Sequence, residues 1–181
     1  VPSATNPNPP KVIAAGTYTI TGAGGADVGP FTASVNVASP INWTNRTTIN
    51  SINRATPLVI NWTGGTSADM VIISGTGGKQ AAGTSADNPK FESTTFVCIA
   101  RGDARTFSVP VSILQQLPAV DFGISAGGGG ASIDGIGILT VQAGNGTLDN
   151  GKFTAPITAG GNIDIGSFYY AVGGAALVSI R

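Results

Sequence analysis

The chain has 181 residues, with nine basic and nine acidic side chains, no histidine and a single glutamate, Glu92. Charged residues make up 10% of it, against a usual share of roughly 25%, and no run of like charge occurs. That composition leaves no basic stripe for nucleic acid and no Lys/Arg-rich amphipathic helix for an anionic membrane. Without imidazole it also rules out a Ser-His-Asp or Cys-His nucleophile system and an ordinary zinc site.

Hydrophobic residues at 41% suffice for a core, and 27 glycines with 11 prolines point to many turns. Mean hydropathy is +0.24, yet no apolar run approaches the roughly 18 residues of a membrane span. A chain so poor in charge either coats itself with Gly, Ser, Thr and Asn or hides part of its surface in an assembly. It opens on Val1, from which removal of an N-terminal segment is expected.

Residues 1–10 carry four prolines and no periodicity, and predict an extended arm. Period-two alternation starts at Lys11 and puts Val12, Ala14, Gly16, Tyr18 and Ile20 on one face of a first strand. After a glycine-rich loop, Phe31, Ala33, Val35 and Val37 alternate with Thr32, Ser34 and Asn36, the pattern of a half-buried antiparallel strand. Ile41-Asn42-Trp43-Thr44 and Ile60-Asn61-Trp62-Thr63 are near-copies 19 residues apart. In the second, Leu58, Ile60 and Trp62 form a core stripe, and Gly64-Gly65 ends the strand.

Further strands are predicted at 70–74, 94–100 and 105–109. Residues 110–117 give the one short connecting helix, capped by Ser108, with Ile113, Leu114 and Leu117 at helical spacing. Residues 123–132 read as a loop. Strands follow at 136–141 and 153–157, with Asn145-Gly146 and Asn150-Gly151 as turn signals. Strands at 163–172 and 176–180 close the chain as a hairpin about Gly173-Gly174. Roughly ten to twelve short strands indicate an all-β antiparallel sandwich over residues 11–181, with a sub-boundary allowed near 120.

The stretches GTYTITGAGGADVGPFTASV, INWTN, Asn53-Arg54, VINWTGG, FVCIA, TFSVPVSILQQLP and GSFYY are distinctive together. Through them the run from Gly16 to Arg181 resembles a β domain of unassigned activity that recurs in secreted surface proteins of soil bacteria. The resemblance implies an immunoglobulin-like fold and a secreted or cell-surface location. It supplies no catalytic residues.

Little else carries chemistry. Residues 146–152 approach a phosphate-binding loop, but Phe153 stands where Ser or Thr must meet magnesium, and the flanks read as strands. The triplet Asp121-Phe122-Gly123 lacks the histidine its kinase context needs. Asp27, Asp69, Asp87, Asp103, Asp121, Asp134, Asp149 and Asp164 are scattered through turns without a calcium-loop pattern, leaving only a site built from distant loops. Cys98, the lone cysteine, alternates with apolar neighbours and reads as a packed thiol. Trp43 and Trp62 read as core in preference to a sugar-stacking platform, and Tyr169-Tyr170 must split between faces. The sequons at Asn42, Asn45, Asn61 and Asn145 reflect Asn/Thr richness.

No catalytic residue, cofactor or metal is therefore expected, and self-association is the expected partnership. The leading expectation is a structural subunit of an extracellular filament or surface assembly. Its terminal strand, through the face of Val12, Ala14, Gly16, Tyr18 and Ile20, would pair with its own sheet or add to a neighbour's. A secreted carbohydrate- or cell-surface-binding module is the alternative.

Overall fold

The computed structural model describes residues 13–37, 39–81, 90–121, 124–127, 130–133, 135–144, 152–157, 160–163 and 166–181. In chain order the first half gives β1 (Gly16–Gly22), β2 (Phe31–Val37), β3 (Asn42–Trp43), β4 (Ser51–Ile52), β5 (Leu58–Thr63) and β6 (Met70–Gln80). Then come β7 (Phe91–Arg101), β8 (Thr106–Val109), α1 (Val111–Leu114), β9 (Ile124–Gly127), β10 (Gly130–Ile133) and β11 (Gly135–Gly144). The chain closes with β12 (Lys152–Phe153), β13 (Gly166–Ser167), β14 (Ala171–Leu177) and β15 (Ser179–Ile180). The protein is all-β, and every named strand pairing is antiparallel except β4 with β15.

Two sheets carry the main core. One has four strands in the order β14-β11-β6-β7; the other has three in the order β3-β5-β8. Alternation along β5 buries Leu58, Ile60 and Trp62, and the same period on β6 and β11 buries Val71, Ile73, Leu139, Val141 and Ala143. These inward faces share one hydrophobic cluster, because period-two alternation turns one apolar row of each strand to the same interior. The two near-copies turn out to be neighbours across the sheet: Trp43 lies opposite Trp62, and Asn42 opposite Thr63. Antiparallel pairing brings identical residue types to one face, so the repetition in the sequence is a cross-strand pair.

The C-terminal strand seals one end of this core. β15 lies beside β4, and Ile180 exchanges backbone hydrogen bonds with Val120 at 2.7 and 2.8 Å. Val120 thus belongs to the same core as Ile180. The approach depends on glycine: a side chain at Gly137 would strike the Val178 carbonyl at 2.2 Å.

A second layer is built from β2 and β12. Ala33, Val35 and Val37 alternate inward, as the sequence predicts, and Phe31 stacks on Phe153 with ring centres 4.7 Å apart. One device recurs here and in the main sheet. Gly22 faces Phe31, Gly75 faces Phe96, and Gly166 faces Phe153 across the strands. In each pair the ring covers the bare glycine, where an added Cβ would fall 2.3–2.5 Å from a ring carbon. Aromatic rings shielding strand glycines replace the packing that the missing side chains would give.

Several expectations are corrected. β14 runs straight through Gly173-Gly174, so no hairpin forms there. These glycines have no left-handed φ; they serve close packing, with Trp43 and Arg46 beside Gly174. The 123–132 segment holds the paired strands β9 and β10. β8 begins at Thr106 because Arg105 adopts φ 64° after a 3-10 turn. Ser108 lies within β8, so Pro110 stands at the helix cap and α1 spans only Val111–Leu114. Gly64 and Gly65 do end β5, both with left-handed φ near 77° (78° and 76°). Residues 1–10, Asn145-Gly146 and Asn150-Gly151 lie outside the described residues.

Ile60 and Val59 test the alternation directly, since they are 0% and 45% exposed. Ile60→Ala is expected to cost about 2–5 kcal/mol of unfolding free energy, and Val59→Ala to stay within about 0.5 kcal/mol. Chemical denaturation that gives the two substitutions equal cost would contradict the arrangement.

Candidate functional site

Among the described residues each main sheet ends in an unpaired edge on the same side of the molecule, since β14 pairs only with β11 and β3 only with β5. Between these edges runs a groove of about 1000 Å³, at the upper end of ordinary ligand sites (roughly 300–1000 Å³). One wall is Ala171–Gly174 of β14; the other runs from Ser39 to Thr44 with Arg46 and Thr47. Val141 and Val172 give it an apolar lining, and Ile13, Ala14 and Ala15, just ahead of β1, contribute to its rim.

Asn45 sets the geometry of the β3 wall. Its side-chain oxygen accepts from the Trp43 indole N–H at 3.0 Å and from the Asn61 backbone N–H at 3.0 Å. Its amide donates to the Val59 carbonyl at 2.9 Å. One side chain therefore ties the indole and the 3-10 turn at Arg46–Thr48 to β5. Trp62 is buried, donating its indole N–H to the Gly102 carbonyl at 2.8 Å. Trp43 is only partly buried and lines the groove. Expecting both tryptophans in the core thus holds fully for Trp62 and in part for Trp43, which packs against the core at a sheet edge.

The other wall is anchored by Asp69, 8% exposed. One carboxylate oxygen accepts from the Tyr170 hydroxyl at 2.9 Å, and the other from the Thr66 backbone N–H and hydroxyl at 2.7 Å each. A buried carboxylate needs such donors. Tyr170 immediately precedes β14, so this bond fixes where the β14 edge begins. Burial, and then the neighbouring Asp69 carboxylate, push the Tyr170 phenol well above its ordinary pKa. Tyr169 points the other way and is 72% exposed, as two adjacent strand-like residues must.

The residues of the expected subunit interface are only partly gathered here. Val12 lies outside the described residues. Ala14 is exposed at the groove rim. Its backbone N–H donates to the Tyr18 hydroxyl at 3.0 Å, and that hydroxyl donates back to the Ala14 carbonyl at 3.1 Å. Gly16, Tyr18 and Ile20 sit in β1, opposite Val37, Val35 and Ala33 of the chain's own β2. Reading the sequence took Asn45 only as a chance sequon and did not single out Arg46 or Thr47; their roles depend on strand pairings that local pattern does not reveal.

The groove holds no carboxylate, thiol or imidazole among its described lining residues; Arg46 is its one charge. What it offers is open backbone edges over an apolar floor, the arrangement that receives an extended chain. The described aspartates do not converge: no group of three or more potential metal ligands occurs among the described residues. Asp103 pairs with Arg101 and Asp121 with Arg181, each at 2.9 Å, while Asp87, Asp134, Asp149 and Asp164 lie outside the described residues. Cys98 packs against the core, and burial raises its thiol pKa. No family model matches the chain, and no curated protein matches it.

Tyr170→Phe is expected to cost about 1–2 kcal/mol at neutral pH through the lost bond to Asp69. The raised phenol pKa contributes stability that is complete below the unfolded tyrosine value of about 10 and fades as pH climbs above it. The gap between the two proteins should therefore narrow above pH 10. A gap in denaturation free energy that stays constant from pH 7 to 11.5 would contradict the assignment.

Proposed function

We propose that this protein is a structural subunit of an extracellular filament or surface assembly, built as an immunoglobulin-like antiparallel sandwich. In this reading the N-terminal segment of one subunit adds as a strand to the groove of the next. Two sheets that share a core through their inward faces support the sandwich. The observation that carries the function is the groove itself, where among the described residues β14 and β3 leave their edges unpaired over Val141 and Val172.

An inserted strand would take backbone hydrogen bonds from Ala171–Gly174 and from Asn42–Trp43, and its alternate side chains would meet the apolar floor. The donor face is Val12, Ala14, Gly16, Tyr18 and Ile20. Its downstream half already pairs with β2, so in this reading the part that reaches a neighbour is the segment ahead of Gly16. Donor and acceptor are different surfaces, so the contact is heterologous and propagates as an open fibre unless the rotation closes it. A composition without histidine and with few charges suits a scaffold outside the cell. Fibre formation needs no chemistry beyond backbone pairing and apolar burial.

Trp43 favours a second reading, a carbohydrate-binding or cell-surface module. Its partly exposed ring and Arg46 could receive a sugar bearing a carboxylate. Retention on insoluble acidic polysaccharide by a protein that forms no filaments would favour that reading.

Two variants separate donor from acceptor. Truncation of residues 1–15 removes the donor and leaves the β1–β2 ladder whole. Thr47→Trp adds bulk at an exposed groove position. Electron microscopy should show filaments for the full chain and for neither variant. Mixed together, the two variants should associate, because one keeps the acceptor groove and the other keeps the donor segment. Filaments from either variant alone would refute strand addition.

A further inference from the structure

The outward face of the four-stranded sheet breaks the rule that the rest of the molecule obeys. Seven of the eleven large hydrophobics exposed among the described residues lie on it. Val97, Ile99 and Phe91 of β7 are 61%, 60% and 72% exposed, and Leu177 of β14 is 55% exposed. Ile72, Ile136 and Ile138 complete the set. Register gathers six of them into two groups, Ile136, Ile138 and Leu177 on β11 and β14 and Ile72, Val97 and Ile99 on β6 and β7, with Ser74, Thr76, Thr95 and Thr140 between them and Phe91 opposite Gln80 at one end. Ile72 lies opposite Ile99, Ser74 opposite Val97, and Ile138 opposite both Thr76 and Leu177. Isolated exposed aliphatics are ordinary, but two groups of them on one sheet face mark a contact surface.

We infer that this face is covered by the same face of a second copy of the chain. The polar groups on it are consistent with a dry contact. Ser74 and Thr140 bond each other at 2.7 Å, and Thr76 and Thr95 at 2.8 Å. Their hydroxyls already have partners within the sheet, so drying the face leaves those four satisfied. Charge selects the occupant. The described residues of this face carry one charge, Arg101 at its end, and that residue pairs with Asp103 of its own chain. A charged partner finds nothing to complement, whereas an identical uncharged face meets no repulsion.

Size reaches the lower limit. Four strands about 4.8 Å apart, matched over about eight residues, give a plan area of about 500 Å² before side-chain relief is added. Two such faces total about 1000 Å², the least expected of a specific interface. Two such faces would stack about 10 Å apart as an isologous pair, with Ile138 near the middle. The pairing uses neither the groove nor the N-terminal segment. In a filament it would join two strands of subunits side by side.

Sedimentation equilibrium in the Thr47→Trp background, where groove-mediated association is blocked, tests this separately from strand addition. That protein should be a dimer. Val97→Lys with Ile99→Lys should weaken the dimer at least tenfold, while Val59→Lys on the other sheet should leave it intact. Because the double lysine change could disturb folding, Ile138→Cys in a Cys98→Ser background gives a second readout. A short bismaleimide should link it to itself, and Val59→Cys should stay unlinked. A monomer in the parent protein, a dimer that survives both lysines, or no link through position 138 would each overturn the inference. If strand addition alone is wrong, the dimer remains and only the filaments fail.

Discussion

Trp62 and Ile60 sit where the two main sheets meet, 2% and 0% exposed, and their burial is the constraint on which the remaining structure depends. Their strand, β5, is the middle of its sheet. A one-residue slip would turn Ile60 and Trp62 outward and Val59 and Asn61 inward. The indole N–H, bonded to the Gly102 carbonyl, resists that slip because a buried donor without an acceptor is costly. With β5 fixed, β3 is fixed beside it through Trp43, and the Asn45 bonds then set the groove wall. The proposed acceptor site is thus a consequence of core register.

The bare composition becomes intelligible once the glycines are placed. Gly22, Gly75 and Gly166 each lie under a phenylalanine of the adjacent strand, and Gly137 admits the C-terminal segment. Glycine in strands ordinarily weakens them; here rings and crossing backbone occupy the vacated volume. The sparse charges have a matching explanation. A sheet face bearing Val97, Ile99 and Ile138 in place of Lys and Glu suits burial against another molecule better than lifelong exposure to water.

Much of the fold was legible in the sequence. The stripe Leu58-Ile60-Trp62, the alternation of Phe31 to Val37 and the stop at Gly64-Gly65 all follow from period two and glycine geometry, which are local properties. Gly173-Gly174 misled because the dipeptide that favours a turn also permits close packing, and only the position of Trp43 and Arg46 distinguishes the two. The 123–132 segment misled because its β-branched signal is weak. The groove was the least legible part. Ala14 was read as part of a strand from Lys11, whereas β1 begins at Gly16; Asn45 acts across 14 and 16 residues, Asp69 across 101, and Thr47 through an edge. Such separations leave no periodic trace. The outer face of β7 was visible only as alternation; that both of its rows are apolar over Phe96–Ile99 becomes meaningful once the inner row is assigned to the core.

One core shared by both sheets is the central claim, and native-state hydrogen exchange probes it most directly. Amides in the middle of β5, β6 and β11 should exchange with one common free energy equal to that of global unfolding, since none can open without exposing the others. Exchange in β5 that is faster by several kcal/mol than in β6 and β11 would show that the three-stranded sheet opens alone, and would contradict the account.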